Sequence, residues 1–311
     1  MLMSKLNKII VLLSLTITLQ ACGNESSTTD PVIIPQPHAK KDVYVLGSST
    51  FEYMNNALTA TASRNNYNLI NYAKASEYLY SMCLRVGAFP GTVRFKNTQL
   101  LLNTKNYFDA DWPMDHALKT FDVKINDNQG QIGVDENGYY FISQQLIKKD
   151  IDKNTYYPIY SLFPKVKSDS IFIVNLGKNN LLSGDQTQGS SQYVIEKSNQ
   201  CINWIDENLT HNVLVVGFFT TTQPSQGLID KVNFVNNSLS KTYSNHYFDL
   251  KKYIESDEIW NDTSITPTTD DIKYQKNQYV PLSLSRDAYH VNEKTNVAIS
   301  NKLINLISNG F

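Results

Sequence analysis

Three short stretches hold residues whose types and spacing can do nucleophilic chemistry. Gly47-Ser48-Ser49-Thr50 supplies hydroxyls directly after an apolar run, and Gly177-Lys178-Asn179-Asn180 supplies side-chain amides after another. Asp287-Ala288-Tyr289-His290 places a carboxylate three residues before an imidazole. At that spacing the carboxylate can hydrogen-bond one ring nitrogen, fix the tautomer and leave the other nitrogen to act as a base. A base so oriented activates a serine, and a side-chain amide can donate a hydrogen bond to a developing oxyanion. Each stretch alone has a plainer reading. Ser and Thr are favoured helix N-caps, Gly and Asn form turns, and an isolated Asp-x-x-His can be a surface turn.

The elements around these stretches decide between the readings. Residues 42–47, DVYVLG, form an apolar run ending in Gly, which predicts a buried strand of a parallel sheet. A helix is expected over about Phe51 to Arg64, a strand over Leu69–Ala73 and a helix over residues 76–86. This β-α-β-α opening favours an open parallel sheet with right-handed crossovers. From Gly87 to Ser168 the texture changes to short alternating runs, such as Thr92–Phe95 and Thr120–Ile125. Turn clusters at Asn126–Gly130 and Asp135–Gly138 separate them, which predicts antiparallel strands. The α/β pattern then resumes. Strands are expected at 170–177 and 212–219, and a short last one at 246–250. Helices are expected over Ser190–Leu209, Gln226–Tyr243 and Lys294–Ile307, the last with Val297, Ile299, Leu303 and Ile307 on its apolar side. In open α/β sheets ligands bind outside the carboxyl ends of the strands, where the first two polar stretches fall.

In order and context the three stretches resemble the SGNH (GDSL-type) hydrolase superfamily. There, a first-block Ser, a third-block Gly-x-Asn and a C-terminal Asp-x-x-His assemble one site. The ending His290-Val291-Asn292 looks like that family too, and the resemblance covers about residues 42–76 and 169–308. It implies a three-layer α/β/α sandwich with a parallel, flavodoxin-like sheet, built from 42–86 and 169–311. Residues 87–168 would be an inserted β-rich subdomain. It implies Ser49 as nucleophile, two residues after Gly47, with Ser48 standing where the family has Asp and remaining an alternative hydroxyl. His290 would be the base and Asp287 its orienting carboxylate, supported by Gly47 and Gly177. The oxyanion hole would comprise the amides of Ser49 and Ser76 and the Asn179 side chain. Ser76 replaces the family's second-block Gly, on the match Asn71-Tyr72-Ala73-Lys74-Ala75-Ser76. The stretch 73–88, with Arg85 and Gly87, followed by a β-rich region and Asn180, looks like a subgroup with an inserted β domain. The implied activity is ester hydrolysis without cofactor or metal.

The N-terminus bears on the substrate. Lys5 and Lys8 precede an apolar run from Ile9 to Leu19. That run is shorter than the roughly 20 residues of a spanning helix and reads as a secretory signal. Leu19-Gln20-Ala21-Cys22 resembles a bacterial lipobox, which implies a signal peptide over 1–21 and a lipid on Cys22. By the same resemblance, Gly23 implies sorting to the outer membrane of the cell envelope. Residues 22–41 are polar and Pro-containing and read as a flexible tether holding an inert His38. A tethered, exported enzyme meets glycans, so an O-acyl group on a polysaccharide, chiefly acetyl, is the expected substrate. A lipase or thioesterase for longer acyl chains, a non-catalytic glycan-binding lipoprotein, and acyl transfer to a sugar remain alternatives. Oligomeric state is left open.

The other residues narrow the classes. With 28 Lys and Arg against 29 Asp and Glu the net charge is −1, and no basic excess points to nucleic acid. No C-x-x-C or H-x-x-x-H spacing points to a metal. Cys83 and Cys201 sit in apolar, helix-like segments, where they can be free and buried or, in an export compartment, bridged. His116, in the cluster Asp111–His116, reads as part of a surface loop or of the cleft wall; His211 and His246 receive no role. Phe95, Trp112, Tyr139 and Tyr140 could stack on sugar rings or form the core of the β-rich unit.

Overall fold

The computed structural model describes residues 39–145 and 151–311. The signal-peptide residues, Cys22 and nearly all of the tether, His38 included, lie outside the described residues. Strand β1 (Lys41–Leu46) already takes in the last tether position. It runs parallel to β2 (Tyr67–Asn71) on one side and to β9 (Ile171–Val174) on the other. Next to β9 lies β10 (Val213–Val216), and the two-residue β11 (Tyr247–Phe248) completes a five-stranded parallel sheet in the order β11-β10-β9-β1-β2. The chain leaves β1 towards one edge and later returns on its other side. That reversal, between β1 and β9, opens a crevice at the carboxyl ends of those strands.

Both faces of the sheet are covered, and the two-residue period of the strands sorts the core in two. Val43, Val45, Ile171, Ile173, Leu214 and Val216 pack under α2 (Asn55–Arg64) and α10 (Glu293–Ser308). Tyr44, Leu46, Phe172, Val174, Val213 and Val215 pack under α3 (Leu79–Val86), α5 (Ser191–Asn208) and α6 (Gln226–Tyr243). Cys83 of α3 and Cys201 of α5 are bridged, with Cα atoms 5.8 Å apart.

Between α3 and β9 in the chain, six antiparallel strands close into a barrel. They are β3 (Thr92–Phe95), β4 (Asn106–Ala110), β5 (Phe121–Ile125), β6 (Asn128–Asp135), β7 (Gly138–Ser143) and β8 (Tyr157–Ser161), and β3 pairs with β8 to shut the ring. The sequence predicts antiparallel strands here but not their closure. Phe95, Trp112 and Tyr139 are 1%, 5% and 2% exposed in the barrel core, so none of them is a platform for a sugar ring. Only Tyr140 of that group is half-buried, with the Lys105 ammonium 4.7 Å from its ring centre.

Several expected elements need correction. The helix expected over Phe51–Arg64 is two helices, α1 (Ser49–Tyr53) and α2, separated at Met54. The second strand ends at Asn71 and α3 starts at Leu79, leaving residues 72–78 as a loop. Val297 is 37% exposed while Ile299, Leu303 and Ile307 are buried. Residues two apart lie about 200° round a helix, so 297 cannot share the face of 299. Helices α4 (Lys178–Leu182), α7 (Leu250–Ile254), α8 (Glu258–Thr263) and α9 (Thr269–Lys276) were not expected.

Both bridged cysteines are fully buried, and the bridge ties together two helices far apart in sequence. Cys201→Ala should lower unfolding stability by about 2–5 kcal/mol in denaturant melts. Reduction of the wild type should give a loss of the same size, and an unchanged midpoint in both would contradict the bridge.

Candidate active site

Strand β1 ends at Leu46, and the next residues turn sharply into α1. Gly47 makes the turn possible because a Cβ there would meet Cδ2 of Phe51 at 2.7 Å and the Asn175 carbonyl at 3.3 Å. Ser49 is the first residue of α1 and is 7% exposed. Its Oγ lies 2.9 Å from Nε2 of His290. Nδ1 of His290 lies 2.7 Å and 2.9 Å from the two Asp287 oxygens. The Ser48 hydroxyl is 0% exposed and has no hydrogen-bond partner among the described residues. Of the two serines, Ser49 is the one in contact with a base.

The histidine loop is built around its own carboxylate. One Asp287 oxygen accepts from the backbone amides of Tyr289 and His290, at 2.9 Å and 3.0 Å, as well as from the ring. Burial pushes the Asp287 carboxyl up, but these donors outweigh it and hold it below its ordinary value. Tyr53 packs edge-on against the imidazole at 4.7 Å, with the Arg286 guanidinium 4.4 Å over its own ring. Burial lowers His290 below its ordinary 6.5; the Asp287 hydrogen bond opposes this, and the Lys178 charge adds to it. The neutral imidazole, the form that can take a proton, therefore persists below that pH.

Beyond the serine lies the loop 73–77. Ser76 has φ +65°, the left-handed region that favours glycine, so it reproduces with a side chain the backbone that a glycine would supply. Neither the Ser49 nor the Ser76 amide finds an acceptor among the described residues. After β9, Gly177 takes φ +107°, and a Cβ there would lie 2.9 Å from Val194, so this turn requires glycine. It starts α4, whose Asn179 donates from Nδ2 to the Glu77 carbonyl at 2.9 Å. An amide NH₂ carries two protons, which leaves the second available to a ligand. Ser49, Tyr53, Ser76, Lys178, Asn179, Leu182, Tyr289 and His290 line one cleft of about 220 Å³.

The loop is pinned from three directions, by residues the sequence reading did not assign. Glu52 of α1 accepts from the Ala75 amide at 2.6 Å. Asn180 of α4 accepts from the Leu79 amide at 2.9 Å. From the barrel side, Asp115 accepts from the Tyr78 amide at 2.9 Å, and the Lys119 amide donates to Glu77 at 2.9 Å. The Glu77 carboxylate is 0% exposed and pairs with Arg85, 1% exposed, at 2.5 Å. Two of these had a local signal: Asn180 closes the Gly177–Asn180 stretch, and Glu52 lies one helical turn after Ser49 and so faces the same side.

The remaining histidines stand apart. His116 is exposed on the β4–β5 connection, outside the cleft lining. His211 contacts Asp206 at 3.3 Å in solvent, and His246 contacts the Val213 carbonyl at 3.3 Å. Among the described residues no group of three or more His, Cys, Asp and Glu could hold a metal ion, and no helix is long and apolar enough to cross a membrane. The chain matches no family model, and no curated protein matches it.

Two outcomes follow from the site. For an ester substrate, the acid limb of kcat/KM should have its half-loss point below pH 6.5, since burial holds the His290 imidazole below its ordinary value; half-loss above that pH would contradict the geometry. Ser76→Gly should keep activity, because glycine adopts the same left-handed backbone and retains the amide. Ser76→Val should lose about 1–2 kcal/mol of stability and most activity, since a β-branched residue is costly in the left-handed region.

Proposed function

We propose that the protein is a serine ester hydrolase of the SGNH (GDSL-type) superfamily, a three-layer α/β/α sandwich carrying the barrel as an inserted subdomain. In this reading it removes short acyl groups, chiefly O-acetyl, from a carbohydrate. The observation that carries the reading is the continuous contact from Asp287 through His290 to Ser49, at 2.7 Å and 2.9 Å, beside two amides without acceptors among the described residues.

The chemistry follows from the contacts. Nε2 of His290 takes the Ser49 proton as Oγ attacks the ester carbonyl carbon, and Asp287 stabilises the imidazolium. The carbonyl oxygen becomes an oxyanion, received by the Ser49 and Ser76 amides and the second Asn179 Nδ2 proton. Such donors are each worth about 10²–10³ in rate. The carbon–oxygen bond to the alcohol then breaks, and His290 returns the proton to the departing sugar oxygen. A water molecule, deprotonated by His290, attacks the acyl-serine, and collapse releases the carboxylic acid and restores Ser49.

A cleft of about 220 Å³ accommodates a short acyl group and leaves a long chain in solvent. Tyr289 at its rim, 52% exposed, offers a face on which a sugar ring can stack. The Cys83–Cys201 bridge fits an oxidising compartment, as expected for export behind the lipobox-like Leu19–Cys22. In this reading the protein is held in the bacterial cell envelope, at the outer membrane, by a lipid on Cys22.

The test compares nitrophenyl acetate with nitrophenyl octanoate for the full-length protein and for Ser49→Ala. Acetate should be preferred, and the variant should lose about 10⁴-fold or more in kcat. Acetate should then be released from an O-acetylated polysaccharide. Equal rates in the two proteins would remove the serine mechanism, and octanoate preference would replace the short-acyl reading with a lipase or thioesterase.

A further inference from the structure

One charged group beside the triad has no place in the mechanism above. Lys178, the first residue of α4, is 3% exposed and is one of the residues lining the cleft. Its Nζ donates to the Tyr289 carbonyl at 3.1 Å and to the Thr50 hydroxyl at 3.3 Å. The same nitrogen stands 3.4 Å from the centre of the Phe219 ring. Among the described residues it forms no salt bridge. Tyr289 immediately precedes the base His290, and Thr50 immediately follows the nucleophile Ser49. The ammonium therefore joins the two segments whose separation sets the Ser49–His290 contact.

We propose that Lys178 is a positioning residue for the acid–base pair. Held between the Tyr289 carbonyl, the Thr50 hydroxyl and the face of Phe219, it fixes the loop carrying His290 against the helix carrying Ser49. The inference rests on the serine-hydrolase reading of the site.

Three observations carry it. First, an ammonium buried without a carboxylate is costly, and a Met of similar length would fill the same space without that cost. Second, both acceptors belong to residues adjacent in sequence to reacting side chains, so a shift at either moves Oγ or Nε2 directly. Third, the charged groups around this region among the described residues are few: Asp287, His290 and Arg286 on the histidine loop, Glu52 on α1 with its partner Lys74 on the loop 73–77, and Lys178 itself. Burial brings the Lys178 ammonium down to about 7, with the Asp287 charge opposing. Its positive form counts against protonation of His290, as does Arg286. Replacing Lys178 with a neutral residue thus removes one influence that keeps the base free of its proton near neutrality, and it loosens the geometry at the same time.

The experiment follows Ser49 phosphonylation by a fluorophosphonate, in which Oγ displaces fluoride from phosphorus and His290 takes the proton. It needs no knowledge of the natural ester. The full-length wild type, Lys178→Met and Thr50→Val are compared across pH, with nitrophenyl acetate turnover in parallel. Lys178→Met should react about 10–100-fold more slowly, lose kcat with KM within about twofold, and move the acid limb to higher pH. Thr50→Val, which removes one acceptor and keeps the charge, should slow labelling about 3–10-fold without moving the limb. A folded Lys178→Met with wild-type rate and limb overturns the proposal. If Lys178→Met does not fold, Thr50→Val decides it, and a wild-type labelling rate in that variant overturns it. A wild type that is not labelled at Ser49 at all removes the serine-hydrolase reading and this inference with it. Labelling of the wild type with unchanged variants removes the inference alone.

Discussion

The buried charge pair between Glu77 and Arg85 is the constraint around which the rest is arranged. A carboxylate with no access to water must have its oxygens met by donors, or its burial costs several kcal/mol. Arg85 meets one oxygen from α3, and the Lys119 amide meets the other from the barrel. The same residue offers its main-chain carbonyl to Asn179 on α4. One residue, through its side chain and its carbonyl, thus fixes the relative positions of α3, the barrel and the amide beside the serine. Removing either partner of such a pair typically costs about 3–5 kcal/mol, since the other is left charged and unpaired. The loop containing Ser76 precedes Glu77 directly, so the left-handed turn is held by this anchor and not by its own local preference.

The parallel sheet supplies the second half of the arrangement. Ser49 and Asn179 follow neighbouring central strands, β1 and β9, and so reach the same edge at the point where the strand order reverses. Hydrogen bonds between turns keep them in register. The Asn175 amide follows β9 and bonds to the Leu46 carbonyl at 2.9 Å, and the Lys74 amide bonds to the Gly47 carbonyl at 3.1 Å. The histidine arrives from the far end of the chain. It is held by the Arg286 amide donating to the His290 carbonyl at 2.9 Å, and by the Thr222 amide donating to Ala288 at 3.0 Å. Two of the three stretches meet because a parallel sheet directs its strand ends to one side, and the third is brought to them by the loop before α10.

What could be read from the sequence is what local pattern encodes. Apolar runs of four to six residues gave the buried strands, because a parallel strand covered on both faces has nowhere to place a polar side chain. The spacing of Asp287 and His290 gave their contact, since the loop is closed by short-range bonds from Asp287 to the amides of Tyr289 and His290. Glu77 and Lys178 escaped notice because nothing local marks them. A Glu in AKASEYLY and a Lys in GKNN look like surface residues, and only the distant groups around them make them buried. The closure of β3 on β8 was equally hidden, because antiparallel alternation says that strands pair but not which ends meet. The bridge between Cys83 and Cys201 depends on α3 and α5 packing side by side, and neither helix reveals its neighbour.

The barrel has a consequence for how the chain folds. Val43 of β1 pairs with Ile171 of β9, which lies on the far side of all six barrel strands. During synthesis one edge of the central strand is therefore exposed until the barrel has been made. Hairpins such as β5–β6 and β6–β7 need only nearby residues and can form first, and once the barrel closes, the pairing of β3 with β8 sets Thr92 against Pro158. For the search that remains, the long connection between β1 and β9 then behaves as a short one, with less entropy lost on joining its ends. A segment that looks like an interruption of the sheet acts in this way as a clasp, shortening the time an apolar edge is left open to other chains.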